Sequence, residues 1–425
     1  MTKDNVKYSA YVSILKEELV PAMGCTEPIA LAYGAAKARE VLGEMPDRVV
    51  IEASGSIIKN VKSVIVPNTD HMKGIPAAAV AGIVAGDASK KLEVIASVTP
   101  EQIAAMRAFL AATPIQVVHV DNGLTFEIGV ILYKGESSAK VRIVNYHTNI
   151  VHIEKDGQVL QHVEVDGEGE SGLTDRSILN VADIVDFAET VDVEDVKPTL
   201  ARQIAYNTAI SQEGLRGNWG SNIGSILMET GGNGVANRAK AAAAAGSDAR
   251  MNGCELPVII NSGSGNQGMT TSLPVIEYAK ELGVSEETLY RALTVANLVT
   301  IHQKTSIGRL SAFCGAVSAG AGAGAGIAWL KGADAKGVAH TVANAIAITG
   351  GIVCDGAKAS CAAKIASAVE AGILGYEMHI RNLDFQAEDG LVGNDPEATI
   401  ANIGRLGKQG MKQTNEEIIS IMVGA

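Results

Sequence analysis

The chain has 425 residues, 46 of them glycine, with 47% hydrophobic and only 4% aromatic side chains and a net charge of -12. That length supplies material for two or three domains with substantial cores, built by close approach of backbones carrying Ala, Gly, Val and Ile. The acidic balance, with no Lys/Arg cluster interleaved with aromatics, excludes non-specific binding to nucleic acid or to an anionic membrane surface.

The N-terminal stretch MTKDNVKYSAYVSILKEEL is charged and holds no signal-peptide apolar core. The longest apolar run, 312–330, reaches membrane-spanning length but is mostly Gly and Ala. Transfer of such a segment into lipid is poor, so it reads as a buried helix of a soluble protein. Five cysteines form no disulfide framework, and their odd number fits a reducing, cytoplasmic location.

In chain order, residues 7–20 predict a helix with Tyr8, Tyr11, Val12, Leu15 and Leu19 on one face and Glu17 and Glu18 outward. The segment 21–28 breaks it. Thr26 reads as the N-cap of a second helix with Pro28 in its first turn. Cys25 then sits just ahead of that helix, where backbone N–H groups and the helix dipole stabilise a thiolate. From Arg48 the period changes, and the β-branched runs of VVIEASGSIIKNVKSVIVP around a Ser-Gly turn predict strands. A small-residue helix over 75–88, a strand over 92–98 and a helix begun by Thr99 as N-cap follow. The run from Ile115 to Val165 carries the strongest β signal, with Asp121-Asn122-Gly123 and Asp156-Gly157 as hairpin turns.

GEGESGL (167–173) reads as a linker, and beyond it the pattern is helical at 176–190, 194–211, 221–230, 235–249, 272–282, 285–301, 315–330, 334–349, 361–375 and 396–409. The acidic C-terminal NEEIIS reads as a solvated face. The fold class is thus α+β, with a mostly antiparallel sheet plus a larger all-α, Ala/Gly-rich part. The expected units are 1–46 (N-terminal helices packing on the helical part), 47–170 (α+β) and 171–425 (all-α, carrying Cys314, Cys354 and Cys361).

Those three cysteines lie among Gly, Ala and Ser, which leave room for a bulky inorganic group to approach the backbone. On a continuous helix the seven-residue step from Cys354 to Cys361 would separate Cα atoms by about 10.5 Å. Asp355-Gly356 therefore reads as a turn, with Cys354 on a loop and Cys361 near a helix start. The spacing matches neither zinc patterns nor ferredoxin runs, and by spacing alone three buried thiols packing as small hydrophobes is the simpler reading. Cys254 reads as structural.

SGSGNQG (262–268) formally matches a dinucleotide fingerprint, but the pattern after Leu282 stays helical through Ile301, so nicotinamide or flavin binding is rejected. The alternatives are a plain turn, or an anion site for a substrate carboxylate made by backbone N–H groups with Ser262, Ser264, Gly265, Asn266 and Gln267. Lys304, Lys358 and His71 are either solvated, placed to offset negative charge or paired with a carboxylate, while Lys59-Asn60 and His147-Thr148-Asn149 lie at predicted strand ends, where loops carry function.

GCTEP (24–28), SGSIIKN (54–60), HTNIV (147–151), SGSGNQG (262–268), FCGAV (313–317) and CDGAKASCAAK (354–364), in this order, resemble the L-cysteine desulfidase family over essentially the whole chain. That family is related to the iron–sulfur L-serine dehydratase α subunit. The resemblance implies a [4Fe–4S] lyase without pyridoxal phosphate that converts L-cysteine to pyruvate, ammonia and sulfide. It implies Cys314, Cys354 and Cys361 as cluster ligands and Cys25 as a non-ligand cysteine at the active site. It also moves Asn60, His147 and Asn149 toward the substrate, with Lys358 beside them. Dehydration of L-serine by the same chemistry is the nearest rival, and a non-catalytic iron–sulfur or zinc protein the more distant one. The expected partner is a small amino acid, with no nucleic acid and no membrane, and the chain is expected to form a homo-oligomer on general grounds.

Overall fold

The computed structural model describes residues 1–165 and 173–423. Residues 167–172 of the expected linker lie outside the described residues. Helix α1 (Val6–Glu18) is capped by the Asn5 side chain. It rests on α6 (Val181–Thr190) through Tyr8 and Tyr11, whose rings meet Phe187 edge-on at 5.4 and 5.3 Å. Strand β1 (Pro21–Met23) and helix α2 (Thr26–Leu42) follow.

Six strands form one sheet in the order β3-β2-β4-β5-β6-β7. They are β2 (Arg48–Ser54), β3 (Ile115–Val120), β4 (Glu127–Lys134), β5 (Ser137–Val144), β6 (Ile150–Lys155) and β7 (Gln158–His162). All neighbours are antiparallel except β2 and β3. The exception has a connectional cause. Between them the chain runs through α3 (Gly55–Val61), α4 (Gly74–Ala85) and α5 (Pro100–Ala112), and a helical crossover returns the chain in the same direction. Asp121-Asn122-Gly123 therefore does not close a hairpin, because β2 lies between β3 and β4. Asp156 and Gly157 do, at φ of 51° and 80°, the two positive angles a tight hairpin needs.

Two expected strands are not strands. Residues after Ser54 turn directly into α3, and 88–93 form a short 3₁₀ helix. Thr99 caps α5 in a full capping box with Gln102, as its sequence predicts.

Along β2, β4 and β5 the alternating set Val49, Ile51, Ile128, Val130, Val141 and Ile143 is buried. Helix α2 covers this face rather than joining α1 on the helical part, with Gly34 allowing Ile143 and Val130 to approach. Each such fully buried aliphatic side chain contributes about 1.5–3 kcal/mol.

The remaining helices are α7 (Val193–Arg216), α8 (Ile223–Gly231), α9 (Val235–Met251), α10 (Gly265–Leu282), α11 (Glu286–Ile307), α12 (Gly315–Leu330), α13 (Ala335–Thr349), α14 (Cys361–His379), α15 (Pro396–Arg405) and α16 (Lys412–Val423). Strand β8 (Pro257–Ile259) precedes α10 and pairs only with β1. Helix α12, the GAVSAGAGAGAG run, is central. A Cβ on Gly320 would meet the Ala368 backbone at 2.4 Å, and one on Gly322 would meet Thr300 Oγ1 at 2.0 Å. Gly and Ala serve close helix packing here, and among the described residues no helix is long and apolar enough to cross a membrane.

The C-terminal α16 is not simply a solvated face, since it packs on α3. Glu18 likewise points inward, 3% exposed, and accepts from Arg176 Nη2 at 2.9 Å and Arg309 Nη2 at 2.8 Å.

Candidate active site

The short β1–β8 pair sets the geometry. Pro21 faces Ile259 and Met23 faces Pro257, so the GCTEP turn arrives beside the SGSGNQG loop. Buried amides hold that loop from below. Asn207 accepts from Ile259 N at 2.9 Å and donates to Ser272, while Asn261 donates to Asn297 Oδ1 at 3.0 Å. Asn297 in turn exchanges hydrogen bonds with Gln203 at 2.8 and 3.0 Å. With water excluded, such a ladder fixes position because any slip leaves an amide unpaired.

Cys25, not Thr26, is the N-cap residue of α2. The Thr26 hydroxyl instead donates to Gly263 O at 2.8 Å, tying the two motifs together. The expected thiolate is not what this environment favours. Burial and the adjacent Glu27 carboxylate push the Cys25 thiol well up, against the weaker pull of Arg250. The thiol donates to Glu27 Oε2 at 3.1 Å. Helix-terminus stabilisation is worth about 2 kcal/mol at most, less than burial next to an anion takes away.

Glu27 is the residue the sequence did not single out. Burial works to raise its carboxyl, yet His147 and the Cys25 thiol outweigh that and hold it at about 2. His147 Nε2 lies 3.9 Å from Glu27 Oε1, and Asn60 Nδ2 donates to the same oxygen at 3.3 Å. The His147 ring stands edge-on to Phe126 at 4.8 Å. Gly263, at φ 81°, packs against the same ring, where a Cβ would meet His147 Cε1 at 2.9 Å. Four buried polar atoms in this region have no hydrogen-bond partner among the described residues: Asn60 Oδ1, His147 Nε2, Gln267 Oε1 and Arg250 Nε. Buried polar atoms are rarely orphaned.

In the 262–268 loop, an Asn261–Ser264 bridge closes the turn and α10 begins at Gly265, seven residues earlier than its apolar pattern indicates. Ser264 is its N-cap residue with no side-chain cap bond, which leaves first-turn N–H groups for an anion. Ser262 Oγ is engaged with Asn261, and Asn266 Oδ1 with Arg250 Nη1 at 3.0 Å. Asn149 does not join the group, as its amide closes its own loop onto Val144 O at 2.9 Å. Lys358 stays half-exposed, 3.9 Å from Asp355 Oδ2. His71 and Cys254 line a different cavity of about 900 Å³.

A β-bridge between Phe313 and Val353 joins the two cysteine segments, with Cys314 N donating to Ile352 O at 3.1 Å and Cys354 N to Ala312 O at 2.6 Å. Cys354 lies on the loop and Cys361 opens α14, as the turn at Asp355-Gly356 predicts. Gly315, next to Cys314, packs against Gln267, and Gly356 lies against Lys59 O and Asn60 Oδ1. Cys25 and Cys361 share one small apolar cluster with Val64 and Met251.

Burial, with Cys354 beside it, pushes the Cys314 thiol up to about 12, and burial raises Cys361 too. Cationic side chains surround the thiols. Lys304, 4% exposed, is brought down to about 8 by burial in spite of Cys354 and Cys314, and Lys59 is lowered likewise. Lys364 is paired with Asp355 and feels Cys314 and Cys361. Burial disfavours the bare thiolates of Cys314 and Cys361, and three soft donors with Lys59, Lys304 and Lys364 close by fit a metal cluster that carries net negative charge. A cavity of about 700 Å³ lies nearby, walled by Ser262, Lys304, Arg309 and Ala312 among others, with none of the cysteines in its lining.

The model of the serine dehydratase alpha chain matches residues 89–420, a span that includes the 262–268 loop and Cys314, Cys354 and Cys361. The chain belongs to the serine dehydratase alpha chain family. Family membership makes it a serine dehydratase-like protein in a lyase-type enzyme family, one associated with iron–sulfur chemistry. A UPF0597 protein of Desulfitobacterium hafniense is 59% identical over 423 residues, 100% of this chain and 98% of that one. Another from Lachnoclostridium phytofermentans is 53% identical over 416 residues, 98% and 100% of the two chains. A third from Treponema denticola is 45% identical over 429 residues, covering 100% of both.

Proposed function

We propose that the chain is an iron–sulfur-dependent lyase that takes L-cysteine to pyruvate, ammonia and hydrogen sulfide. The observation that carries this reading is the shared packing of Cys25 with Cys361, which sets the buried Cys25–Glu27–His147 group against the thiol cluster. Cys314, Cys354 and Cys361 would hold a [4Fe–4S] cluster. When bound, such a cluster, held by three protein thiolates, would supply Lewis-acid assistance to the departing sulfur.

The chain's own residues perform the rest. N–H groups at the start of α10 receive the substrate carboxylate. The unpartnered oxygens Asn60 Oδ1 and Gln267 Oε1 accept from its ammonium group, fixing Cα. Cys25 Sγ takes the Cα proton as its own proton passes by way of Glu27, which His147 supports, to the departing hydrosulfide, so both residues return to their resting protonation and hydrogen sulfide leaves. Loss of hydrosulfide leaves aminoacrylate, and one water then yields pyruvate and ammonia. Cys25 acts here as a basic thiolate formed during turnover, since in the resting protein it is a neutral donor.

Dehydration of L-serine is the second reading, favoured by the family's own description. The two differ only in the leaving group. Comparison of kcat/KM for L-cysteine and L-serine in anaerobically prepared protein separates them. Preference for serine would overturn the desulfidase reading and keep the lyase. Release of no pyruvate from either amino acid would favour a non-catalytic iron–sulfur or zinc protein.

A further inference from the structure

A second constellation of ligating side chains lies away from the thiols, on α13, at the end of α14 and in the segment after it. His340, His379 and Asp384 each present a coordinating atom within 4.8 Å of the other two. His379 Nδ1 is 3.0 Å and His340 Nδ1 3.6 Å from the same oxygen, Asp384 Oδ2. The two imidazoles are stacked, 5.4 Å between centroids and 14° between planes. In a tetrahedral site with bonds of about 2.0–2.2 Å, ligand atoms stand about 3.3–3.6 Å apart. The two printed separations from Asp384 lie near that range, and the nearly parallel rings must tilt toward each other for both in-plane lone pairs to meet one ion.

We propose that His340, His379 and Asp384 bind a divalent first-row transition-metal ion of the zinc class, distinct from any group held by the cysteines. Two nitrogens and one carboxylate oxygen are a borderline donor set suited to Zn²⁺, Ni²⁺ or Co²⁺ rather than to Ca²⁺ or Mg²⁺. One histidine would suffice for an ion pair with Asp384. A second, stacked on the first and aimed at the same oxygen, adds repulsion if both rings are protonated and a second lone pair if neither is.

The supporting residues are arranged as a metal site requires. Asn344, one turn after His340, donates to Asp384 Oδ1 at 2.8 Å and to Gly375 O at 3.1 Å, and accepts from Phe385 N at 3.1 Å. It therefore orients the carboxylate and joins both helices, the role outer-sphere partners play around bound metals. Gly337 keeps α13 clear of His379, since a Cβ there would meet Nε2 at 3.0 Å. The carbonyl end of α14 favours positive charge at His379. The neighbouring cation Arg381 is already paired with Glu377 at 2.6 Å and does not fill the position. The three side chains are 26%, 23% and 15% exposed, so water can complete the coordination.

The test uses cluster-loaded protein under anaerobic conditions and Co²⁺ as the spectroscopic probe. Expected is one Co²⁺ per chain with ligand-field bands and no thiolate charge-transfer band. That signal should be lost in the His340→Ala/His379→Ala double variant and weakened at least about tenfold in Asp384→Asn. Equal Co²⁺ binding by wild type and double variant would overturn the proposal, as would no binding by wild type. Should the variants fail to fold, X-ray absorption of Zn²⁺ bound to the unaltered protein decides. Nitrogen and oxygen scatterers alone support the site, and a sulfur shell refutes it. Neither readout depends on lyase activity, so failure here and failure of the proposed function are separable.

Discussion

Cys25 and Glu27, two residues apart, face each other across 3.1 Å at the start of α2, with the thiol as donor and the carboxylate as acceptor. A neutral thiol and an ionised carboxyl here form a proton path rather than a preformed thiolate. Glu27→Gln keeps the size but removes the charge that polarises Cys25 and pairs with His147. We expect kcat to fall about 10²–10⁴-fold while cluster absorbance is unchanged. Cys25→Ser should behave in the same way. Full turnover in either variant would remove that side chain from proton transfer.

Glu18 lies between Arg176 and Arg309, and those two charges hold its carboxyl low in spite of complete burial. Breaking a buried pair by removing one partner costs about 3–5 kcal/mol where the other charge loses its compensation. Arg176 keeps Glu17 Oε2 at 2.7 Å, so Glu18→Ala should lower stability in denaturant titration with that figure as the upper bound. The sign with pH follows from the lowered pKa. The contribution is present above the ordinary carboxylate range and is lost as pH falls through the folded value.

Asp248 behaves oppositely. Burial raises its carboxyl to about 6, opposed by the Gly224 and Ile223 backbone N–H groups, and its Oδ1 has no partner. Its contribution is complete below about pH 4 and is lost as pH rises through about 6. The shift of about two units sets an upper bound of about 3 kcal/mol. Asp248→Asn should therefore stabilise the protein at pH 7 and leave it unchanged near pH 4 in paired unfolding curves. A variant less stable than wild type at pH 7 would contradict this.

Gly324 of α12 faces Gly372 of α14, and a Cβ on it would lie 2.6 Å from Gly372 O. Backbone cannot yield as a flexible side chain can. Gly324→Ala should cost about 1–3 kcal/mol as an overpacked helix contact. An unchanged melting temperature would show that the two helices can separate without loss.

The parts of this molecule legible in its sequence are those governed by neighbours along the chain. Both ends of α12 follow from Cys314 and Leu330, and the Thr99–Gln102 capping box announces α5 outright. The Asp156-Gly157 hairpin is equally local. What escaped was set by distant partners. The insertion of β2 between β3 and β4 depends on a three-helix crossover. Glu18 reads as a surface acid until Arg176 and Arg309 are placed beside it, and nothing along the chain singles out Glu27 until His147 is. The Cys314–Cys354 neighbourhood rests on one bridge, Phe313 to Val353, with no periodicity to announce it. There the motif resemblance, not spacing, gathered the thiols.

The central claim is that the sulfurs of 314, 354 and 361 hold one cluster serving a neighbouring elimination site. Anaerobic reconstitution with iron and sulfide, followed by addition of L-cysteine, tests it most directly. The expected result is cluster absorbance together with equal release of sulfide and pyruvate, both lost when Cys314, Cys354 or Cys361 is changed to Ser. Stoichiometric cluster incorporation in all three serine variants, or turnover by protein without iron, would contradict it.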